Sequence, residues 1–468
     1  MSLFESLYSS PRFWFAIQSL IGIGAFSLCT HLILKNRRFT IFYALFTSIH
    51  SLFTNSYFAS NHYFPIIPIA GHFYLNGALF AHLFVLMKWR KLKPNWYLWS
   101  ICMPGYFYLA WGAMGSMLSI PHSILRIAFR SLFSQLDPNM IYFHCLILIL
   151  TSYSFYLSFV SPPFCKEQVH IDLTHNRKSE ELESKQLQKQ HTPHDHVVEL
   201  TSDKVVHQDE SCILRVFQIT DAHLGPYMSK KRLFKVCQNI VKHKHQIDLV
   251  VITGDMETMD THHDEDSLRE ALSPLKEISH KVVACLGNHD YEVLEKIRRA
   301  YQENSITLLE DDQTIIEIER WTQLSGEKSH VQIIGSSFSF AAMESSTRHI
   351  QELCNKFPRV DANTPRILLI HNPSMLSALD TKDSCDIVFS GHLHGGQIGI
   401  GRMTFVKGLY YALKIFGKEK TIFKVYPPDQ GLYGRRNLRL YSHRGTGHYG
   451  FPLRLGIASE QSLIHLYF

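Results

Sequence analysis

The stretch DIVFSGHLHGG, residues 386–396, decides how the chain is read. An apolar run ends abruptly in glycine, and two histidines follow one residue apart. The same grammar recurs upstream. ILRVFQIT (213–220) leads into Asp221 and His223, and DLVVITG (248–254) leads into Asp255. KVVACLG (281–287) leads into Asn288, His289 and Asp290, and RILLIH (366–371) ends on His371. A further run, VQIIG (331–335), carries no such tail. Runs that are apolar on both faces suit strands of a covered sheet. Between them lie amphipathic helical segments near 229–244, 266–279, 292–303, 345–356 and 373–379. The alternation predicts an α/β sandwich with ligand-type side chains beyond the carboxyl ends of its strands.

The donors collected this way are Asp221, His223, Asp255, Asn288, His371, His392 and His394, with His289 to spare. No thiolate is among them. Imidazole, carboxylate and amide donors suit zinc, iron or manganese. Seven donors exceed one tetrahedral zinc and suit two ions sharing a carboxylate. Two such ions are fitted to clamp the attacking and leaving oxygens of a displacement at phosphorus. The histidines of GHLH can then serve different ions, since alternate positions on an extended turn diverge.

The ordered set D-x-H, GD, GNHD, a lone His and GHxH resembles the calcineurin-like metallophosphoesterases over 211–468. The ending YSHRGTGHYGFPLRL (441–455) resembles the bacterial YkuE/YaeI-like branch. The resemblance implies a four-layer α/β-sandwich metallophosphoesterase domain. It implies two divalent ions, manganese before iron or zinc. Asp221, His223 and His394 would hold the first ion and Asn288, His371 and His392 the second, with Asp255 bridging. A hydroxide between the ions would attack phosphorus. His289 would protonate the leaving oxygen, with Asp290 orienting the ring. Arg444 is a candidate substrate contact, with a structural salt bridge as the alternative. His262 and His263 read as loop residues.

The first part of the chain is different. Glu5 is its only acidic residue as far as Leu136. Charge-free stretches allow five transmembrane helices, near 13–34, 39–60, 65–87, 96–118 and 140–162. The basic loops KNRR (35–38) and KWRKLK (88–93) place the following domain on the cytoplasmic side. Arg126 and Arg130 oppose this orientation weakly. The expected architecture is an N-terminal α-helical transmembrane bundle (1–165), a polar linker (166–210) and a catalytic domain (211–468). The linker carries the cluster HTPHDH (191–196), read as solvated, and a short strand near HVVEL (196–200). Scattered cysteines without a CxxC pair fit a reducing compartment.

A net charge of +6 implies no nucleic-acid partner. The expected partners are the membrane and a phosphorylated small molecule. Arg402–Lys424 mixes aromatic and aliphatic residues with lysines, as membrane-surface segments do. On a helix, Leu409, Leu413 and Phe416 would share one face. That favours an amphipathic, lipid-linked substrate, UDP-2,3-diacylglucosamine being one concrete candidate that the resemblance suggests. A soluble phosphomonoester or diester is the alternative. A non-catalytic scaffold and a transporter with a regulatory domain rank last, since none of the seven donors is missing and the predicted spans carry no ionisable residue except histidines.

Overall fold

A computed structural model of the chain describes residues 66–129, 141–165, 167–173, 198–200, 213–340, 343–379, 385–415, 417–418, 428–435, 438–449 and 454–468. Two compact units emerge, 1–156 with 450–455, and 157–449 with 456–468.

In the first unit, α1 spans Ile66–Lys88, α2 Met103–Ala128 and α3 Ile141–Phe159, with short turns from Asn95 to Cys102 before α2. Leu79 and Leu83 of α1 pack with Tyr108 of α2. Phe107 meets Phe155 edge-on at 5.5 Å, and His122 stacks on Phe143 at 3.9 Å.

Among the described residues only Tyr142–Phe159 is long and apolar enough to cross a membrane. This corrects the expectation of a transmembrane bundle. Helices do occupy the third, fourth and fifth expected spans, but freedom from charge is not the same as apolarity. In α1 the apolar window shrinks to Gly77–Leu86. Helix α2 runs on through Pro121 and ends in a basic turn at Arg126. The spans expected at 13–34 and 39–60 lie outside the described residues.

The second unit is built on two sheets. The first has the order β1-β15-β3-β4-β5-β6. Its strands are β1 (Gln168–Asp172), β3 (Ile213–Ile219), β4 (Leu249–Thr253), β5 (Val282–Cys285), β6 (Thr307–Leu308) and β15 (Leu463–Tyr467). Strands β3 to β6 run parallel, and β15 lies antiparallel to β3. The second sheet has the order β2-β13-β14-β10-β9-β8-β7. It is formed by β2 (Val198–Glu199), β7 (Asp312–Glu317), β8 (His330–Gly335), β9 (Arg366–Leu369), β10 (Ile387–Ser390), β13 (Gly431–Arg435) and β14 (Leu438–Ser442).

The central strands are buried on both faces, and their side chains alternate between two cores. Val216, Val251 and Val283 point inward to meet Ile333, Ile367 and Phe389 of the other sheet. Phe217, Val250 and Ala284 point outward onto α4 (Lys230–Lys242), α5 (Ser267–Leu272) and α6 (Leu294–Glu303). On the far side, Ile334, Leu368 and Val388 pack against α8 (Met343–Lys356). The short helix α7 (Glu319–Ser325) joins β7 to β8. The layers are therefore helix, sheet, sheet, helix, as period-two strands covered on both sides require.

The expected linker boundary is displaced. Residues 168–172 form β1, paired residue for residue with β15 from Gln168–Leu463 to Asp172–Tyr467. The short strand near HVVEL is β2, which pairs with β13. A strand whose partner lies nearly 300 residues away leaves little local signal. The HTPHDH cluster lies outside the described residues.

Candidate metal centre

Each ligand-type residue stands just past the carboxyl end of a parallel strand. Asp221 and His223 follow β3, Asp255 follows β4, Asn288 and His289 follow β5, His371 follows β9, and His392 and His394 follow β10. The two sheets thus deliver their turns to one rim. Asp221, His223 and His394 form one group whose donor atoms all lie within 4.8 Å of one another, and Asp255, His371 and His392 form a second. His223 Nε2 and His394 Nε2 stand 3.1 Å apart. Asp255 Oδ2 lies 3.0 Å from His371 Nε2 and 3.7 Å from His223 Nε2, so it stands between the groups.

The backbone bends sharply to present these side chains. Asp221, His223, Asp255, His392 and His394 all have φ between 48° and 75°. Non-glycine residues enter this left-handed region at a cost and remain there only where their surroundings over-determine them. Here the amide of Asp221 donates to Gly254 O at 2.9 Å, and that of His223 to Asp255 O at 3.1 Å. The amide of His392 donates to both oxygens of Asp221 at 3.0 Å. The intervening glycines are steric necessities. A Cβ on Gly391 would lie 2.2 Å from Asp221 Oδ2, and one on Gly254, at φ 88°, would lie 2.2 Å from Gly287 N.

Hydrogen bonds also set the tautomers. His371 Nδ1 donates to Thr253 O at 2.7 Å, which leaves Nε2 free to ligate. His223 Nδ1 makes a longer contact of 3.4 Å with Glu257 O. Thr220 Oγ1 donates to Asp221 Oδ2 at 2.8 Å. Asn288 Oδ1 is buried and accepts no hydrogen bond from the protein. An orphaned buried acceptor beside four imidazoles and two carboxylates fits a divalent cation, which would take up that lone pair.

The electrostatics point the same way. Burial pushes the Asp221 carboxyl up to about 6, and lowers His223 to about 3 and His392 to about 4. Those imidazoles are neutral and ready to ligate. His371 behaves oppositely. Burial alone would lower it, but the Asp255 carboxylate holds it at about 10. Burial would likewise raise Asp255, yet His371 and the neighbouring imidazoles hold it well below the usual carboxylate range. A cation entering here displaces the proton shared by this pair.

Two expectations meet a different arrangement. Asp290 does not touch the His289 ring. Its carboxylate accepts from the amides of Asp255, Met256 and Gly287, each at 2.9 Å, and so ties the β4 turn to the β5 turn. The partner of His289 Nδ1 is Glu292 Oε1 at 2.7 Å, one helical turn on. Arg444 ion-pairs with Glu167, and its Nε lies 3.3 Å from Glu460 Oε2, which makes it a structural clasp. His262 lies in a turn, as expected, but it is buried there, with Nε2 3.6 Å from Glu292 Oε2. Tyr449 escaped the sequence reading altogether. It stacks on His223 at 4.7 Å and meets His289 edge-on at 5.0 Å. Its position in the closing GTGHYG segment was the available signal.

Comparison with known proteins agrees with this geometry. Residues 214–396 match the family model described as calcineurin-like phosphoesterase. An uncharacterized metallophosphoesterase of Helicobacter pylori is 23% identical over 257 residues, covering 54% of this chain and 60% of that protein. Phosphodiesterase YaeI of Escherichia coli is 25% identical over 263 residues, covering 55% and 84%. A transmembrane protein with metallophosphoesterase domain from Danio rerio is 27% identical over 263 residues, covering 53% and 52%. The chain therefore spans only about half to three fifths of the length of the first and third of these relatives. With the ordered donor set, the strand-end placement and the matched residues in agreement, the second half of the chain carries a calcineurin-like phosphoesterase domain.

Proposed function

We propose that the chain is a membrane-anchored phosphohydrolase that uses two divalent ions. The observation that carries this reading is the pair of donor groups at one rim, with Asp255 between them and Asn288 Oδ1 unsatisfied. Asp221, His223 and His394 would hold one ion, Asn288, His371 and His392 the other, and Asp255 both. When bound, the ions supply Lewis-acid stabilisation of charge on phosphorus and a nucleophile at neutral pH. Manganese comes first among the candidates, then iron or zinc, since the donors are nitrogen and oxygen without sulfur. His289 stands beside His223, with ring centroids 5.4 Å apart, and carries the proton for the leaving oxygen. Asp290 holds the two turns in register, and Glu292 holds the ring.

The helix Tyr142–Phe159 supports anchoring, and the basic loop at 88–93 supports a cytoplasmic catalytic domain. One relative is named a phosphodiesterase, which makes a diester the natural first probe. The substrate we favour carries an acyl chain, because the segment following the GHLHGG turn is apolar and cationic. A diacylated sugar nucleotide such as UDP-2,3-diacylglucosamine is one candidate.

The test begins with chelator-stripped full-length protein. Hydrolysis of bis(p-nitrophenyl) phosphate should vanish on stripping and return with added manganese, at about two ions per chain. Acylated and deacylated versions of one phosphate ester then report on the lipid preference through kcat/KM. Hydrolysis that survives stripping overturns the metal mechanism. Equal kcat/KM for the two esters overturns the lipid substrate and leaves a soluble ester.

A further inference from the structure

The segment directly after the GHLHGG turn is built the wrong way round for a water-facing element. It comprises a hairpin, β11 (Gly399–Ile400) and β12 (Met403–Thr404), and then α9 (Phe405–Ile415). The one fully buried side chain of α9 is a lysine. Lys407 is 1% exposed, with Nζ 2.8 Å from Glu199 Oε2 and 3.1 Å from Asp429 Oδ1. Thr404 Oγ1 also bonds Asp429, and Arg402 Nη1 donates to Leu200 O at 2.9 Å. The inner face is thus clamped to the domain by polar contacts.

The outer face is apolar. Ile400 is 90% exposed and Ile415 81%, and Met403, Phe405, Leu409 and Tyr411 are exposed with them. The face differs from the one expected from periodicity, since Leu413 is half-buried. A soluble amphipathic helix places its apolar stripe inward and its lysines outward. Contiguous apolar surface with a polar rim marks an interaction site. The rim here is cationic. Lys414 and Lys418 are exposed, and no acidic residue occurs between Ile387 and Lys418. Apolar side chains flanked by lysines bind the interface of an anionic bilayer, the chains entering the headgroup region and the amines pairing with phosphates.

We propose that β11, β12 and α9 form a docking surface for an anionic lipid bilayer. This rests on the reading that the chain is membrane-anchored, through which a tether keeps the local lipid concentration high. It does not depend on the hydrolytic activity. The buried Lys407 cluster fixes the outer face, so docking needs no refolding of the element.

The experiment uses full-length protein reconstituted into vesicles of phosphatidylcholine, with and without phosphatidylglycerol. A photocrosslinking residue replaces Ile400 or Ile415, and Leu324, an exposed residue of α7, serves as the control. Mass spectrometry should find lipid adducts at 400 and 415, several-fold more with phosphatidylglycerol, and none at 324. Lys414→Glu with Lys418→Glu should remove most of that gain while metal content stays unchanged. Adducts no more frequent than at 324, or crosslinks to a second copy or another protein, overturn the proposal. Alkaline extraction of the same vesicles reads the anchoring separately. Because lipid is present either way, the crosslinks decide docking whichever way extraction comes out.

Discussion

At the scale of single residues, the site separates ligands from the groups that manage protons. Asp255 stands between the two donor groups, and an amide in its place cannot neutralise both ions. Asp255→Asn should abolish turnover and lower bound metal, as elemental analysis of purified protein would show. Unchanged metal with full turnover would remove the two-ion reading. His289→Ala should keep its metal and lose turnover by about 10²–10⁴-fold, the range for a lost acid–base group. Glu292 meets His289 Nδ1 at 2.7 Å, and Glu292→Ala should cost less than His289→Ala. The double variant should be no slower than His289→Ala alone, because groups acting as a unit do not add. A fully additive loss would show that Glu292 works elsewhere. The seven candidate donors were legible because each is a residue type rarely spent on a strand end without purpose. Glu292 was not, since an acidic residue three positions along reads as helix surface until the turn is built.

At the scale of elements, Arg444 and Glu460 join the β14 turn to the chain entering β15. Glu460 accepts from the Arg444 amide at 3.0 Å and also bonds the Tyr441 hydroxyl. Burial alone would raise this carboxyl, but His443 and Arg444 bring it down to about 2 from an ordinary 4.5. A depressed carboxyl contributes stability that is complete above its unfolded value and fades as the pH falls toward its folded value. The contribution is roughly 3 kcal/mol at neutral pH, lost between about pH 4.5 and 2. Urea midpoints of the wild type and of Glu460→Gln should therefore differ widely at pH 7 and converge in acid. A constant difference across that window would assign the effect to packing. For Arg444 the sequence leaves a substrate contact and a structural salt bridge both open, and only the meeting of residues 167, 444 and 460 shows the clasp.

At the scale of the whole molecule, the proposed anchoring makes a topological statement. A reporter fused near residue 200 of the otherwise intact chain should be active only in its cytoplasmic form. Activity of an export-dependent reporter at that point would reverse the orientation. The order and identity of the candidate donors were legible in the sequence alone, because donor chemistry is local. An apolar run, a glycine and a donor within a few residues carry the whole message. The layered α/β class followed from the same runs, since strands apolar on both faces must be covered on both faces. Among the described residues the charge-free stretches held one helix apolar enough to span, since neutral polar residues dilute what charge counting leaves whole. What only the tertiary structure decided are the relations between distant segments. β1 joins β15 across most of the chain, His289 leans on Glu292, and α9 turns Lys407 inward and Ile415 outward. Each is a choice between partners that look equivalent in sequence, and the choice is made by the burial, strain and hydrogen bonds of the assembled fold.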